Sequence, residues 1–433
     1  MHREMFKSIL LGALVLASVA MTSNILFYKS DFENYPTNSA KQVAIAQTRK
    51  LTDVIRPNLM LELNSNGEFG QNSYGRIQKV YSLLQQSVFN KLTTYNNKVS
   101  RGDNPSYKLI FPAPLTRDAL TKVFQFDEKS SIPNEALIDR IELFSSSNGQ
   151  RITAIFSSPD EKDKLYATVD HMNMNNLKAL FTGTKLYPYD RQPLKGKVVY
   201  LPDDKTKMHS EVSYYEKLKL EEFLPILFPD PENVFPTRGK TAYTDSARQL
   251  EQTNNVIQFV NPSIIRSTEQ KQDPLIGSLV WMNSYKLWTD DYIYQGTALK
   301  NYRGDGTVTF RMTLGDYMVF NTENYPNWYL SMIELTWKSG ELSNYKGTLI
   351  NLNLVDNQGD IILDSGKNIL NKLSQTSVPV KKIEDMAIGY ELNNPQPNDD
   401  QSIVATPDWF YKIGGRWYSA SRALLPNEKE DPS

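Results

Sequence analysis

The 433-residue sequence contains no cysteine and little histidine. The absence of cysteine excludes disulfides, thiol catalysis, cysteine metal sites and a lipid-modified N-terminal cysteine. The three histidines, His2, His171 and His209, lack the spacing of a zinc site. No H-E-x-x-H, G-x-S-x-G or Walker A motif occurs either. We therefore predict a binding protein with no catalytic residue, no metal ligand and no cofactor.

Concentrated positive charge is also missing. The net charge of the chain is −1, and because residues 1–29 contribute +2, the remainder carries −3. Nucleic-acid binding requires a concentrated basic surface, which this sequence lacks. We therefore expect no nucleic-acid partner.

One long uncharged run is present, from Ser8 to Tyr28. Its 21 residues are enough to cross a bilayer once as a helix. Arg3 and Lys7 precede it and place the N-terminus in the cytoplasm, with the bulk of the chain outside the membrane. The alternative is a cleaved signal peptide, with Ser18 and Ala20 as the small residues of its cleavage site.

Small residues recur within this uncharged run at a spacing of four. Ser8 pairs with Gly12, and Ala13 pairs with Ala17. Such pairs let helices approach closely in lipid, so we predict a helix-packing surface here. The alternative is the ordinary frequency of small residues in membrane helices.

The chain beyond the anchor carries both helical and strand patterns. Apolar residues at helical spacing predict a helix between Tyr74 and Leu92. Alternation in Arg140–Phe156 predicts a hairpin with Asn148-Gly149 in its connection. Residues 213–227 predict a helix that is interrupted by Pro225.

The C-terminal part is dominated by strand patterns. Alternation over Val308–Leu314 predicts a strand, with Gly315-Asp316 as the following turn. Gly414-Gly415 predicts a last hairpin, and Ser365 can cap a short helix that ends at Leu373. Such a meander is typical of antiparallel sheets covered by helices.

These patterns predict an α+β protein with a single N-terminal transmembrane helix and a multi-domain ectodomain of antiparallel sheets packed with helices. The predicted segments are a cytoplasmic tip and anchor at 1–29, an N-terminal α+β domain at 30–195, a small middle α+β domain at 196–270, a C-terminal antiparallel-sheet domain at 271–425, and a polar tail at 426–433.

Two groups of side chains are candidates for binding or chemistry. Trp281 and Trp288 could form a sugar-stacking platform, although core packing is the preferred interpretation for such aromatic residues. The adjacent pairs Asp290-Asp291 and Asp203-Asp204 could supply the two acids of a glycosidase. Adjacent residues of a strand point to opposite faces, however, which favours ordinary solvated acids.

Short motifs also follow one another in a fixed order behind the anchor. They are Val54-Ile55-Arg56-Pro57, Leu109-Ile110-Phe111-Pro112, Tyr200-Leu201-Pro202, Leu227-Phe228-Pro229-Asp230-Pro231, Asn283 with Trp288 and Thr289, Val308-Thr309-Phe310-Arg311-Met312, Ile388-Gly389-Tyr390, and Pro407 with Trp409. In this order the chain resembles the YycH family, single-pass extracytoplasmic proteins that accompany the essential WalK–WalR two-component system of low-GC Gram-positive bacteria. The segment Trp281 to Asp291 departs from the family pattern by lacking a glycine- and histidine-rich stretch.

The resemblance implies a non-enzymatic regulator of the cell-wall sensor histidine kinase WalK, located in the cell membrane. It implies contact with WalK and with a YycI-like single-pass sister protein, through transmembrane helices and outer domains. It transfers no catalytic residue. The other functions we consider are a cell-wall polysaccharide-binding protein and an unrecognised wall hydrolase.

Overall fold

The computed structural model describes residues 46–94, 104–146, 151–183, 185–264, 273–299, 304–322, 325–393 and 402–425. The described residues belong to one compact unit. The predicted anchor, with Ser8, Gly12, Ala13 and Ala17, lies outside these ranges, as does the tail at 426–433. Within the ranges described, no helix combines the length and apolar character needed to cross a membrane.

Ten strands form the first sheet. They are β1 (Leu59–Asn64), β2 (Gly67–Gln71), β3 (Val88–Thr94), β4 (Ser106–Leu115), β5 (Gln125–Phe126), β6 (Ile138–Ser145), β7 (Ile152–Ser157), β8 (Lys164–Asp170), β9 (Tyr187–Leu194) and β10 (Lys197–Pro202). Their order across the sheet is β10-β9-β2-β1-β4-β6-β7-β8-β3-β5. Neighbouring strands are antiparallel except β3 and β5, which run parallel.

Four helices occur in this part of the described chain: α1 (Leu51–Val54), α2 (Tyr74–Gln86), α3 (Arg117–Val123) and α4 (Met174–Phe181). Helix α2 buries the face on which Ile77, Val80 and Leu84 recur, which confirms the predicted periodicity. The helix is shorter than predicted, because Ser87 is extended and Val88 begins β3.

Fourteen strands form the second sheet. They are β11 (Thr206–Lys217), β12 (Phe235–Thr237), β13 (Ala242–Thr244), β14 (Gln249–Thr253), β15 (Val256–Val260), β16 (Tyr292–Leu299), β17 (Gly306–Leu314), β18 (Tyr317–Val319), β19 (Met332–Lys338), β20 (Glu341–Thr348), β21 (Ile350–Leu363), β22 (Asp385–Asn393), β23 (Ser402–Ile413) and β24 (Arg416–Ser419). The order is β12-β13-β14-β15-β20-β19-β17-β18-β22-β23-β11-β21, with β16 beside β17 and β24 beside β23. Here β18 and β22 are the parallel pair. Four further described helices are α5 (Leu224–Leu227), α6 (Pro274–Ser284), α7 (Gly366–Ser374) and α8 (Ala420–Leu424).

The helix predicted over residues 213–227 is wrong for its first part. Residues 206–217 form β11, which pairs with β21 on one side and β23 on the other. Tyr214 and Tyr215 favour a strand, and the ladders on both sides satisfy the backbone of β11. Helical structure begins only at Leu220, and Pro225 lies in the first turn of α5, where proline is tolerated.

The predicted turns are confirmed where the structure describes them. Strands β6 and β7 pair as predicted, while Asn148-Gly149 lies outside the described residues. Gly315-Asp316 connects β17 to β18, and Gly414-Gly415 connects β23 to β24. Ser365 occupies the N-cap of α7, but its hydroxyl accepts no hydrogen bond from the helix, so the predicted capping interaction is wrong.

The two sheets are joined by polar contacts. The amide of Tyr74 donates to Asp316 Oδ1 at 2.7 Å, and Lys197 Nζ donates to Asp385 Oδ2 at 2.6 Å. The main buried apolar cluster contains residues of both sheets. The α+β class with mainly antiparallel sheets is therefore confirmed. The predicted middle segment, 196–270, is divided between β10 in the first sheet and β11 to β15 in the second, and its limits stay a prediction.

Candidate functional site

The first described residues lie against the loop that follows α6. The amide of Ala46 donates to the carbonyl of Lys286 at 2.6 Å, and Gln47 forms an antiparallel bridge with Trp288. We define residues 46–49 together with 283–291 as the N-terminal junction. At this junction, the chain coming from the predicted anchor meets the second sheet.

Helix α6 positions the loop of the junction. Its N-cap residue, Asp273, accepts hydrogen bonds from the amides of Leu275 and Ile276 at 2.8 and 3.3 Å, and Pro274 occupies the first helical position. These are standard features of a stable helix start. Thr116, just beyond β4, donates to the other Asp273 oxygen at 3.0 Å. The helix is therefore fixed to the first sheet at the end opposite the junction.

Asn283 is the central hydrogen-bonding residue of the junction. Its Oδ1 accepts from the backbone amide of Arg49 at 2.9 Å, and its Nδ2 donates to the Arg49 carbonyl at 2.8 Å. The same Oδ1 accepts from Trp288 Nε1 at 2.8 Å. A side-chain amide carries both a donor and an acceptor, so Asn283 can satisfy both backbone groups of Arg49 as a neighbouring strand would.

The Arg49 side chain adds an ionic contact to this backbone pairing. Its guanidinium forms a salt bridge with Asp291 and donates to the carbonyl of Asp290 at 3.4 Å. Both side chains of the salt bridge are partly exposed, so its contribution to stability is expected to be below about 1 kcal/mol. Its role is to orient the segment rather than to stabilise the fold.

Asp290 is held in a different environment from its neighbour. Its Oδ1 accepts from the amide of Leu352 at 3.0 Å, while its Oδ2 is buried without a hydrogen-bond partner in the described chain. Burial raises the pKa of Asp290 to about 6, which outweighs the lowering by the Leu352 amide, by the Thr289 side chain and by Arg49. The stability of the folded protein therefore depends on proton binding to Asp290 between about pH 4 and about pH 6.

The two tryptophans differ in accessibility. Trp288 is 0% exposed and packs edge-on against Phe310 at a ring distance of 5.1 Å. It presents no face to a ligand, so the structure favours core packing for Trp288, the interpretation preferred from the sequence, over a place in a sugar-stacking platform. Trp281 is half-buried and packs against Tyr285 and Tyr345, so its proposed role in interaction stays a prediction.

The candidate acids do not form an accessible pair. Asp290 is tied to a backbone amide, and Asp291 is tied to Arg49. Glycoside hydrolysis needs two carboxylates on either side of an open substrate site. Asp203 and Asp204 are exposed residues that follow β10. Only Asp204 borders a cleft, so these two acids do not flank one enclosed site.

Arg49 is the junction residue that the sequence interpretation missed. The sequence analysis singled out no functional residue between the predicted anchor and Val54. The bonds of Arg49 to Asn283 span 234 positions, and no local pattern connects residues so far apart. The motif of Asn283, Trp288 and Thr289 was the available signal, because it identified the correct loop.

Comparison with known proteins gives two family matches. The model described as "YycH protein, N-terminal domain" matches residues 4–186. The model described as "YycH protein, C-terminal domain" matches residues 196–425. Together these matches cover most of the chain, including the residues of the N-terminal junction.

Two individual proteins are also similar to this chain. The "Two-component system WalR/WalK regulatory protein YycH" of Bacillus subtilis (strain 168) is 22% identical to this chain over an alignment of 469 residues. The alignment covers 99% of this chain and 98% of that protein. The crystal structure of YycH from Bacillus subtilis has a TM-score of 0.69 and 18% identity, covering 87% of this chain and 98% of that one. The structural likeness shows a shared fold.

Proposed function

The chain belongs to the YycH protein family, and from that premise we propose that it regulates a WalR/WalK two-component system from the membrane. In this proposal, residues 8–28 form an anchor and the folded region lies outside the membrane. The chain acts without catalysis, by contact with the sensor kinase WalK and with a YycI-like single-pass protein.

The N-terminal junction is the structural observation that supports this function. A regulator that acts through its anchor needs a firm connection between the anchor and the folded region. Asn283 makes two hydrogen bonds to the backbone of Arg49, and Arg49 also pairs with Asp291. Movement of the second sheet would therefore be transmitted to the segment that precedes residue 46.

The energy that such regulation needs is small. A coupling free energy of about 1–3 kcal/mol changes an equilibrium by roughly 5–150-fold. A single hydrogen bond between membrane helices contributes about 0.6 kcal/mol on average, so individual interhelical contacts are of the same order as this coupling. A few contacts at Gly12 and Ala13, transmitted through a fixed junction, would be sufficient.

The test is reconstitution of the full-length chain with the sensor kinase in proteoliposomes, followed by measurement of kinase autophosphorylation. We expect the wild-type chain to change the initial rate by about fivefold or more. Asn283→Leu removes the hydrogen bonds to Arg49 and should reduce this change by more than half. Gly12→Leu should reduce it as well, because a larger side chain separates the packed helices.

Two matched variants serve as controls. Ser374→Ala changes an exposed serine at the end of α7, outside the junction, and the hydroxyl of Ser374 donates within that helix to the carbonyl of Asn371 at 2.6 Å. Leu14→Ile keeps the size of an anchor residue. Both should behave as the wild type. An autophosphorylation rate that the wild-type chain leaves unchanged would contradict the proposed function. If the Asn283→Leu variant changes the autophosphorylation rate as much as the wild-type chain does, the junction does not transmit the regulation.

A further inference from the structure

A cleft of about 700 Å³ lies between the two sheets. Its walls come from β1 and β2, from β9 and β10, and from β18 and β22, with the start of α2 at one side. This volume falls in the range of small-molecule sites in proteins, roughly 300–1,000 Å³. The cleft could therefore enclose a solute of several rings or a short chain of sugars.

Tyrosine side chains dominate the partly exposed wall of the cleft. Four of them retain accessible surface: Tyr74, Tyr187, Tyr189 and Tyr317. Tyr187 is 45% exposed, and the ammonium of Lys185 lies over its ring at 4.9 Å. Tyrosine rings offer a flat apolar face together with a hydroxyl, which suits a ring that carries hydroxyl groups.

Arg56 provides a buried positive charge in the same wall. Only 8% of Arg56 is exposed, and its guanidinium lies 4.3 Å from the centre of the Tyr74 ring. In the described chain it donates to uncharged groups, the carbonyl of Asp53 at 2.7 Å and the hydroxyl of Thr313 at 3.2 Å. Burial lowers the pKa of Arg56. The negative charges of Asp291 and Asp53 partly offset this lowering, but neither carboxylate pairs directly with Arg56 among the described residues. An anion in the cleft would provide a direct ionic partner.

Gln71 adds an unused hydrogen-bond donor. It lines the cleft and is 7% exposed. Its Nε2 is buried, and no partner for it occurs among the described residues. A buried donor without a partner destabilises the folded state. A ligand with an acceptor oxygen at this position would provide the partner that the Gln71 side chain lacks.

The charges around the cleft also favour an anion. Basic side chains outnumber acidic ones by five to two; they are Arg56, Arg76, Lys185, Lys205 and Lys207, against Asp204 and Asp316. Lys205 pairs with Asp364 and Lys207 pairs with Asp360, both outside the cleft. These pairs reduce the excess of positive charge but do not reverse it. Asp316 is engaged by the amide of Tyr74 at 2.7 Å.

We infer that this cleft binds an anionic saccharide, a sugar ring that carries a carboxylate or a phosphate group. In this site Arg56 attracts the anionic group, and the side-chain amide of Gln71 donates to a ligand oxygen. The sugar ring packs against the tyrosine rings. This function goes beyond regulation by contact, because it adds a soluble ligand. The site also adjoins the N-terminal junction, since Thr313 contacts both Arg56 and the carbonyl of Asp291.

Isothermal titration of the full-length protein in detergent tests the inference without any kinase. The probes are glucuronate, glucose 6-phosphate, glucose and inorganic phosphate. We expect one of the two charged sugars to bind at least tenfold more tightly than either glucose or phosphate alone. The preference between them identifies the carboxylate or the phosphate as the anionic group.

Two variants examine the wall without disturbing the core. Gln71→Leu removes the unpartnered amide, so it should preserve or raise the melting temperature while weakening binding at least fivefold. Tyr187→Ala should also weaken binding, whereas Tyr214→Ala, a tyrosine of similar exposure (50%) outside the cleft, should not. Absence of binding by both charged sugars at 10 mM, roughly the weakest affinity of interest, would overturn the inference. Binding that survives Gln71→Leu and Tyr187→Ala would also overturn it.

Failure of this test would leave the proposed regulation intact, because autophosphorylation is measured without added sugar. Conversely, a chain that binds the charged sugar but leaves the kinase unchanged would retain the ligand site and lose the regulatory function.

Discussion

At the scale of single residues, the N-terminal junction depends on one amide and one carboxylate. Asn283 pairs with the backbone of Arg49, whereas Asp290 is buried with one oxygen unsatisfied by the described residues. The first arrangement stabilises the junction, and the second opposes it whenever Asp290 is ionised. The two residues therefore have opposite effects on the same contact.

Asp290→Asn is predicted to stabilise the protein above pH 6. The pKa of Asp290 is about 6 in the folded state and about 3.9 in an unfolded chain. The folded state therefore binds the proton more tightly, and stability falls as pH rises from about 4 to about 6. Asparagine resembles the protonated acid, so the variant should gain about 1–2 kcal/mol at pH 7.5 and almost nothing at pH 4.

Urea unfolding of the wild type and the variant at both pH values measures this difference. Asp204→Asn, at an exposed aspartate outside the junction, serves as the control and should change stability little at either pH. An equal effect of Asp290→Asn at pH 4 and pH 7.5 would show that the buried charge is not the cause.

At the scale of elements, the parallel pairing of β18 and β22 requires a close approach at Gly389. Met318 lies opposite Gly389 in this pair. A Cβ atom at Gly389 would meet the Met318 carbonyl oxygen and would lie 2.8 Å from the ring of Phe320. The motif Ile388-Gly389-Tyr390 therefore has a structural reason, because only glycine lets these strands approach so closely.

Gly389→Ala is predicted to destabilise the second sheet by about 1–3 kcal/mol, as overpacking does. Gly75 is the matched control, since it lies in α2, has no positive φ, and a Cβ added there would meet no atom within 4 Å. Gly75→Ala should stabilise by up to about 1 kcal/mol. Thermal unfolding by circular dichroism compares the two variants. If Gly389→Ala and Gly75→Ala shift the melting temperature equally and in the same direction, the close packing at Gly389 is contradicted.

Local elements could be predicted from the sequence, whereas pairing between distant segments could not. The alternation in β17 and the turns at Gly315 and Gly414 depend on neighbouring residues, and those predictions are confirmed. Strand β11 was missed because its partners, β21 and β23, lie more than a hundred residues later. Its conformation is decided by these ladders, since intrinsic strand preference is weak.

At the scale of the whole molecule, the described residues form two sheets with a shared apolar cluster. Contacts such as Lys197 with Asp385 and Tyr74 with Asp316 connect the sheets. The proposed functional sites follow this arrangement, because both the cleft and the N-terminal junction combine residues from distant parts of the chain. The sequence was sufficient to identify the loop around Asn283 and the motif at Arg56. It was not sufficient to predict that Arg49 contacts Asn283 or that Thr313 contacts Arg56.

The two sheets are predicted to unfold together. All six tryptophans lie between positions 281 and 417, so their fluorescence reports on the second sheet. Hydrogen exchange of peptides from β4, β6 and β7 reports on the first sheet. The shared cluster should make the two urea transitions coincide, and a separation of more than about 1 M between their midpoints would contradict this cooperativity.

The distance along the chain between Arg49 and Asn283 has a consequence for synthesis. A ribosome that adds about 5–20 residues per second needs roughly 10–50 s to make the 234 positions between them. During that interval the N-terminal segment is present and its partner loop is not. A nascent or truncated chain that ends before α6 therefore cannot close the junction, so only molecules completed well past their midpoint can link the N-terminus to the folded body.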